Sequence, residues 1–255
     1  MNDEQLQANR ENWSLSYENF RGWGALPNWG PYEVAGDDPS LVGEIEGRTF
    51  LEVACGSGHS VKYLLDRGAK KVYGLDFSEE QIRVANEVNE KYVAEGKAVF
   101  LVSPMENSIE LPEQVDVVLS IYGVGWTVDP DRTFKNIYSY LKSGGKFVWS
   151  WDHSVLSDVE LEAGKIVVEH SYHDESTIHL KKWSKGEDAY LTYRKTSTWF
   201  ELLRKSGFSI NRYLEPEAPS FDENIALISG EKMAAYYAPE KVQKVPWVFI
   251  FECFK

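Results

Sequence analysis

Leu51-Glu52-Val53-Ala54-Cys55-Gly56-Ser57-Gly58-His59 joins an apolar run to a helical one through a turn with two glycines. Thr49 to Ala54 reads as a buried strand. Beyond the glycines, Val61, Leu64 and Leu65 recur at i, i+3 and i+4, the spacing of a short helix that stops at Gly68. Glycines at a strand-to-helix junction let the backbone turn sharply and let a ligand approach without meeting a Cβ.

The same order repeats outward from this turn. Lys71 to Leu75 is the next strand, and Ser78-Glu79-Glu80-Gln81 matches a capping box in which serine and glutamine satisfy each other's orphan amides. Ile82, Ala85 and Val88 then mark the inner side of a helix. Ala98 to Val102 and Val115 to Ser120 are strands three and four; Phe134, Ile137, Tyr138 and Leu141 form a helical stripe broken by Ser143-Gly144-Gly145. Lys146 to Trp151 is strand five. From about Ser154 to Tyr193 the alternation lapses, with one exposed strand expected over Lys165 to Tyr172. It resumes with Trp199, Leu202 and Leu203 on a helix ended by Gly207, a strand near Ser209 to Leu214 and a last strand over Val245 to Phe254.

Strands alternating with helices predict an α/β chain with a doubly wound, mostly parallel, seven-stranded sheet. The expected division is an N-terminal helical lid over 1–47, a cofactor-binding core over 48–153, an inserted cap over 154–193, and completion of the sheet over 194–255.

Composition narrows the class. The 255 residues are 43% hydrophobic and 26% charged, which sets aside disordered, collagen-like and disulfide-scaffold chains. A net charge of -13 with no dense Lys/Arg block disfavours nucleic acid and membrane surfaces as partners. Val245 to Phe254 is too short to span a bilayer and the N-terminal segment too polar for a signal peptide, so a cytoplasmic location is expected. Cys55 and Cys253 support neither a disulfide framework nor a thiolate metal site.

Two cofactor classes use such a glycine turn. A dinucleotide site needs a third glycine three residues past the second, and Val61 stands there. Glu52 is poorly placed beside phosphates but suited to a cationic ligand. These residues resemble the class I S-adenosylmethionine-dependent methyltransferases, and more narrowly their small-molecule branch. Glu52 through Gly58 is similar to the family's first motif, an acid followed by a glycine turn. Gly74-Leu75-Asp76-Phe77-Ser78 resembles its second-strand end, whose acid takes the ribose hydroxyls, and Pro104-Met105-Glu106 its adenine-contacting turn. Val115 to Ser120 resembles the fourth-strand motif, Leu141 to Phe147 the turn before strand five, and Ser197 to Phe208 the late helix. The resemblance covers residues 48–152 and, more weakly, 194–254. Where the family's adenine turn carries an aspartate this chain has Ser103-Pro104, which turns the adenine contact to Glu106 or to backbone.

The resemblance implies S-adenosylmethionine as cofactor and S-adenosylhomocysteine as product. The residues expected around it are Tyr17, Trp29, Glu52, Ala54, Gly56 and Gly58, followed by Asp76, Phe77, Gln81, Met105, Glu106 and Ser120. Asp76 also reads as a helix-dipole partner, and Gln81 as the capping-box residue alone. His153, just past strand five at the carboxyl ends of the strands, is placed to take a proton from the acceptor; the alternative is a hydrogen-bonded rim histidine. Tyr122, past strand four, is expected to orient the acceptor. His170, His173 and His179 read as surface positions, with no metal site.

Trp13, Trp23 and Trp29, with Tyr17 and Tyr32, suggest an aromatic-lined lid, and Trp126 and Trp151 sit at strand ends; aromatic faces also suit an acceptor carrying an apolar ring or a cationic amine, and alternatively Trp13 and Tyr17 simply pack. The expected activity is methyl transfer to a hydroxyl or amine of a small organic molecule. A cofactor-retaining scaffold and a nicotinamide-dependent oxidoreductase are the alternatives. A nucleic-acid methyltransferase is disfavoured by charge and by Ser120-Ile121-Tyr122-Gly123 at strand four.

Overall fold

The computed structural model describes residues 3–18, 25–30, 38–184, 186–218 and 236–255. Trp23 and Tyr32 lie outside the described residues. Five strands, β1 (Thr49–Val53), β2 (Lys71–Asp76), β3 (Ala98–Val102), β4 (Val115–Ile121) and β5 (Leu141–Asp152), run parallel. Later in the chain, β10 (Ser209–Leu214) and β11 (Val248–Phe254) complete a seven-stranded sheet in the order β10-β11-β5-β4-β1-β2-β3, with β11 antiparallel to both neighbours. The order reverses between β1 and β4, which opens a crevice at the strands' carboxyl ends.

β1 is buried along its whole length because helices cover both faces. Phe50 faces the layer that includes Val72 and Val117, whereas Leu51 and Val53 face the layer of Tyr73, Leu75 and Val118. Each such side chain contributes about 1.5–3 kcal/mol through burial. The second layer is strongly aromatic: Trp149 stacks on Phe251 at 5.3 Å and meets Trp199 edge-on at 5.1 Å. The cores are tied by polar links at strand ends. Asp116, part of the fourth-strand motif, accepts the Thr49 amide at 2.8 Å and the Lys142 ammonium at 2.9 Å. Buried Glu252 receives Arg212, Asn211 and Lys146, which holds its carboxyl down at about 2.

The helices run close to their sequence signals. They are α1 (Asp3–Ser16), α2 (Pro39–Val42), α3 (His59–Asp66), α4 (Glu79–Val88), α5 (Glu90–Ala94) and α6 (Pro130–Tyr140). After β5 come α7 (Ser154–Asp158) and α8 (Thr196–Lys205). Several expectations need correction. The α6 helix ends at Tyr140 and Leu141 already pairs with Val115, so Ser143-Gly144-Gly145 lies in a strand irregularity rather than ending the helix. The last strand begins at Val248, not Val245. The capping box is made only by half: Ser78 Oγ accepts the Gln81 amide at 3.2 Å, but the Ser78 amide goes to Asp76 Oδ1 at 2.9 Å.

Between α7 and α8 the chain forms two antiparallel hairpins, β6 (Val159–Glu162) with β7 (Lys165–Val168) and β8 (Thr177–Ser184) with β9 (Glu187–Thr192). Because β7 stops at Val168 and not at Tyr172, His170 and His173 fall after the strand. Helix α1 lies along the edge of β9, and its buried side is polar: Asn9, Asn12 and Ser16. Asn9 donates to the Tyr190 carbonyl at 2.9 Å and accepts the Tyr190 amide at 2.7 Å, standing in for a neighbouring strand. Asn12 caps the Glu187 carbonyl at 2.9 Å. A sheet edge is thereby covered by a helix with little apolar character. Among the described residues, no helix is long and apolar enough to cross a membrane.

Candidate active site

A cavity of about 390 Å³ opens at the carboxyl ends of the central strands. One end of it is built from the glycine turn and its neighbours. Strand alternation puts Glu52 on the side opposite Leu51 and Val53, 3% exposed, at the cavity wall. Burial pushes its carboxyl up to about 8; a hydrogen bond with Ser60 opposes this, and the charge of Asp76 adds to it. Its Oε2 is buried with no hydrogen-bond partner among the described residues. Asp76, twenty residues past Gly56, accepts the Gly56 amide at 3.0 Å through Oδ2 and the Ser78 amide through Oδ1. Burial still raises it to about 6.

Because Asp76 takes the Ser78 amide, the Gln81 carboxamide is released to the cavity wall, and its Oε1 is also buried without a partner among the described residues. Glu106 lies on the same wall, 1% exposed; Oε1 accepts from Thr127 Oγ1 at 2.8 Å and the Val128 amide at 2.9 Å, and Oε2 has no partner among the described residues. Asn136 pins this turn by donating to the Met105 and Glu106 carbonyls. Buried polar atoms ordinarily have partners. Three orphan acceptor oxygens around one cleft, with Asp76 retaining lone pairs, fit a ligand rich in donors, such as the ammonium, ribose hydroxyls and adenine amine of S-adenosylmethionine.

The other end of the cavity is aromatic. Trp13 of α1, Trp126 of a 3₁₀ turn (Val124–Trp126), Trp151 of β5 and Trp183 of β8 line it. Gly125 makes this possible: a Cβ there would lie 1.8 Å from Trp151 Cε2. Tyr122 closes the space with a positive φ of 52°, its amide bonded to the Ser150 carbonyl at 3.2 Å. Asp152, the last residue of β5, is 7% exposed and lines the cavity. Tyr237 donates to its Oδ1 at 2.7 Å, and burial pushes the carboxyl up to about 7 against hydrogen bonds from Tyr237, Tyr122 and Tyr236.

Of the residues expected at the site, Glu52, Ala54, Gly56, Asp76, Phe77, Gln81, Met105, Glu106 and Tyr122 line this cavity. Five do not. His153 is turned away from it: its amide bonds the Trp247 carbonyl, Nδ1 accepts the Val155 amide at 3.2 Å as the cap of α7, and Nε2 meets Glu215 at 3.0 Å. Burial lowers its pKa despite Glu215. Trp29 is 1% exposed within the apolar core, and Tyr17 bonds Glu18 at the surface. Ser120 Oγ accepts the Val124 amide at 3.1 Å. Gly58 packs α3 against α4, where a Cβ would meet Ala85 and Asn89 at 2.9 Å.

Sequence reasoning missed Asp152, Tyr193, Tyr236 and Tyr237. A carboxylate ending a buried strand was a readable signal for Asp152; the tyrosines carry none, because only the fold brings them to it. Leu6, Trp13 and Ala25, rather than Tyr17 and Trp29, bring the N-terminal segment to the cavity.

Comparison with known proteins agrees with this geometry. Residues 51–149 match the family described as methyltransferase domain. A solved structure assigned as an S-adenosylmethionine dependent methyltransferase, from Listeria monocytogenes, superposes with a TM-score of 0.65 at 25% identity, over 85% of this chain and 94% of that one. The demethylmenaquinone methyltransferase of Lactococcus lactis is 29% identical over 184 residues, 68% of this chain and 70% of the relative. An uncharacterized Haemophilus influenzae protein is 24% identical over 219 residues, 80% of this chain and 85% of that one. The fold and the cleft thus define a Rossmann-like transferase. Residues 51–149 are a methyltransferase domain, the match with the Listeria structure supports a class I S-adenosylmethionine-dependent methyltransferase, and S-adenosylmethionine is its cofactor.

Proposed function

We propose that the chain methylates a hydroxyl or amine of a small organic molecule seated at the aromatic end of the cavity. The observation that carries this reading is Asp152, a buried carboxylate on the wall of the same cavity as Glu52 and Asp76. The cofactor, when bound, supplies a methyl group already activated by its sulfonium charge. Glu52 would hold its ammonium, Asp76 its ribose, and Glu106 with the Met105 turn its adenine. The tryptophans exclude water and align the acceptor, and such alignment can supply about 7–11 kcal/mol of barrier reduction. Asp152 replaces His153 as the group that takes the acceptor's proton, through the oxygen not bonded to Tyr237. Tyr122 orients that carboxylate.

The segments before residue 48 and between 154 and 193 serve as lid and cap, since Trp13 and Trp183 reach the cavity from them. The Lactococcus relative named for demethylmenaquinone supports a small-molecule acceptor. A thermal-shift series with S-adenosylmethionine, S-adenosylhomocysteine and nicotinamide dinucleotides, followed by a screen of amines and hydroxyl compounds, tests the reading. Stabilisation of about 2.7 kcal/mol is expected at a hundredfold excess over Kd of either adenosyl ligand. No methylated product from either acceptor class would refute it.

A further inference from the structure

The aromatic end of the cavity has a distinct electrostatic character. Trp13 and Trp126 meet at 5.4 Å, Trp13 and Trp183 at 5.5 Å, Trp126 and Trp183 at 5.2 Å, and Trp126 and Trp151 at 5.8 Å. Their interplanar angles of 54° to 81° make these contacts tilted or edge-to-face, in which the edge of one ring meets the face of another, and all four indoles line the cavity. Those faces carry the negative lobes of the ring quadrupole and attract cations. Four segments far apart in sequence supply them, which makes the cage a product of the whole fold.

The charges on the wall point the same way. Among the described residues lining the cavity there are four carboxylates, Glu52, Asp76, Glu106 and Asp152, and no lysine or arginine. The buried ammonium of Lys241 stands outside the lining, 3.9 Å from Glu160 and 5.0 Å from the Tyr236 ring centroid, and its charge bears on both Glu160 and Asp152. Three carboxylates border the cofactor cleft. Asp152 is left for the acceptor, with Tyr122, Tyr193, Tyr236 and Tyr237 as the titratable side chains grouped with it. An anionic acceptor would exchange its hydration for indole faces and a carboxylate. An organic cation would gain from both.

We infer that the methyl acceptor is a small amine that enters as its ammonium ion, its nitrogen on Asp152 and its apolar part among Trp13, Trp126, Trp151 and Trp183. This narrows the proposed function above and rests on it. One N–H bond breaks, its proton passing to Asp152 and its electron pair staying on nitrogen. That pair forms the new N–C bond as the C–S bond breaks with its electrons returning to sulfur. The sulfonium charge disappears and the product leaves as an ammonium.

The test uses the full chain loaded with S-adenosylhomocysteine, whose binding is first established by calorimetry, and follows tryptophan fluorescence. The probes are phenethylamine, benzyltrimethylammonium, phenethyl alcohol and phenylacetate. Both ammonium probes are expected to bind about tenfold or more tightly than the alcohol, with phenylacetate weakest. Asp152→Asn should erase the preference while keeping S-adenosylhomocysteine affinity. Trp183→Leu, a change on the hairpin that leaves the main sheet intact, should weaken the ammonium probes more than the alcohol. Equal or tighter binding of phenylacetate, failure of both ammonium probes, or a preference that survives in both variants overturns the inference while the methyltransferase reading stands. Absence of S-adenosylhomocysteine binding overturns both.

Discussion

Tyr237 donates a 2.7 Å hydrogen bond to Asp152 Oδ1 across 85 residues of sequence, fixing a buried carboxylate on the wall of the cofactor cavity. If Asp152 takes the acceptor's proton, Asp152→Asn lowers turnover by about 10²-fold or more. Tyr237→Phe, which leaves the carboxylate but removes its tether, costs less. With the carboxyl raised to about 7, turnover climbs with pH through that value, because only the ionised form accepts a proton. A kcat–pH profile that keeps this limb in Asp152→Asn would exclude the role.

If Glu52 holds the cofactor's ammonium, as proposed, cofactor binding is linked to protons. Its carboxyl stands at about 8 in the unliganded protein, and a cationic group beside Oε2 favours the ionised form. Affinity for S-adenosylhomocysteine should therefore rise between pH 6 and 8, with a proton released on binding near pH 7. Calorimetry in buffers of different ionisation enthalpy measures that release, and Glu52→Gln should abolish it.

The same buried carboxyls set the pH dependence of stability. Glu52, Asp152 and Asp76 have folded-state pKa values of about 8, 7 and 6, above their ordinary ones, so the folded protein binds more protons than the unfolded chain in between. Their contribution falls as pH rises from about 4 to 8 and is flat above it. Urea midpoints of the unliganded protein should be lower at pH 8.5 than at pH 6, and saturating S-adenosylhomocysteine should shrink the difference.

Gly58 has φ +71°, and a Cβ there would lie 2.9 Å from Ala85 Cβ and Asn89 Nδ2. The Asn89 side chain also donates to its carbonyl at 2.9 Å. Gly58→Ala should cost about 1–3 kcal/mol of stability from backbone strain, with steric displacement added. Denaturant unfolding is the check; an unchanged midpoint would show that the two helices yield easily.

His153 caps α7 and pairs with Glu215 outside the cavity. His153→Ala is expected to destabilise by about 0.5–2 kcal/mol, as loss of a helix cap does, and to leave turnover unchanged. A collapse of kcat with an unaltered melting temperature would return the histidine to the chemistry.

Much of the cofactor end is legible in the sequence because its contacts are local. Glu52, Gly56 and Asp76 sit at fixed offsets from strand ends, and strand pairing alone brings β1 beside β2. Gln81 reads as a capping partner because the sequence does not show that Asp76 takes the Ser78 amide. His153 and Asp152 are neighbours, and composition cannot say which one faces the cavity. The direction of the chain leaving β5 settles it, through the His153 amide bound to the Trp247 carbonyl.

The amino-acid sequence by itself determines the parallel α/β sheet, the glycine turn and the acid at each of two strand ends, because periodicity and turn chemistry act over a few residues. Tertiary structure alone decides the acceptor end. Trp13, Trp126, Trp151 and Trp183 belong to four separate elements, and Asn9, an unremarked polar residue, docks the first of them by pairing with Tyr190. Long-range packing and the satisfaction of buried polar groups choose which aromatic rings meet and which carboxylate shares their cavity.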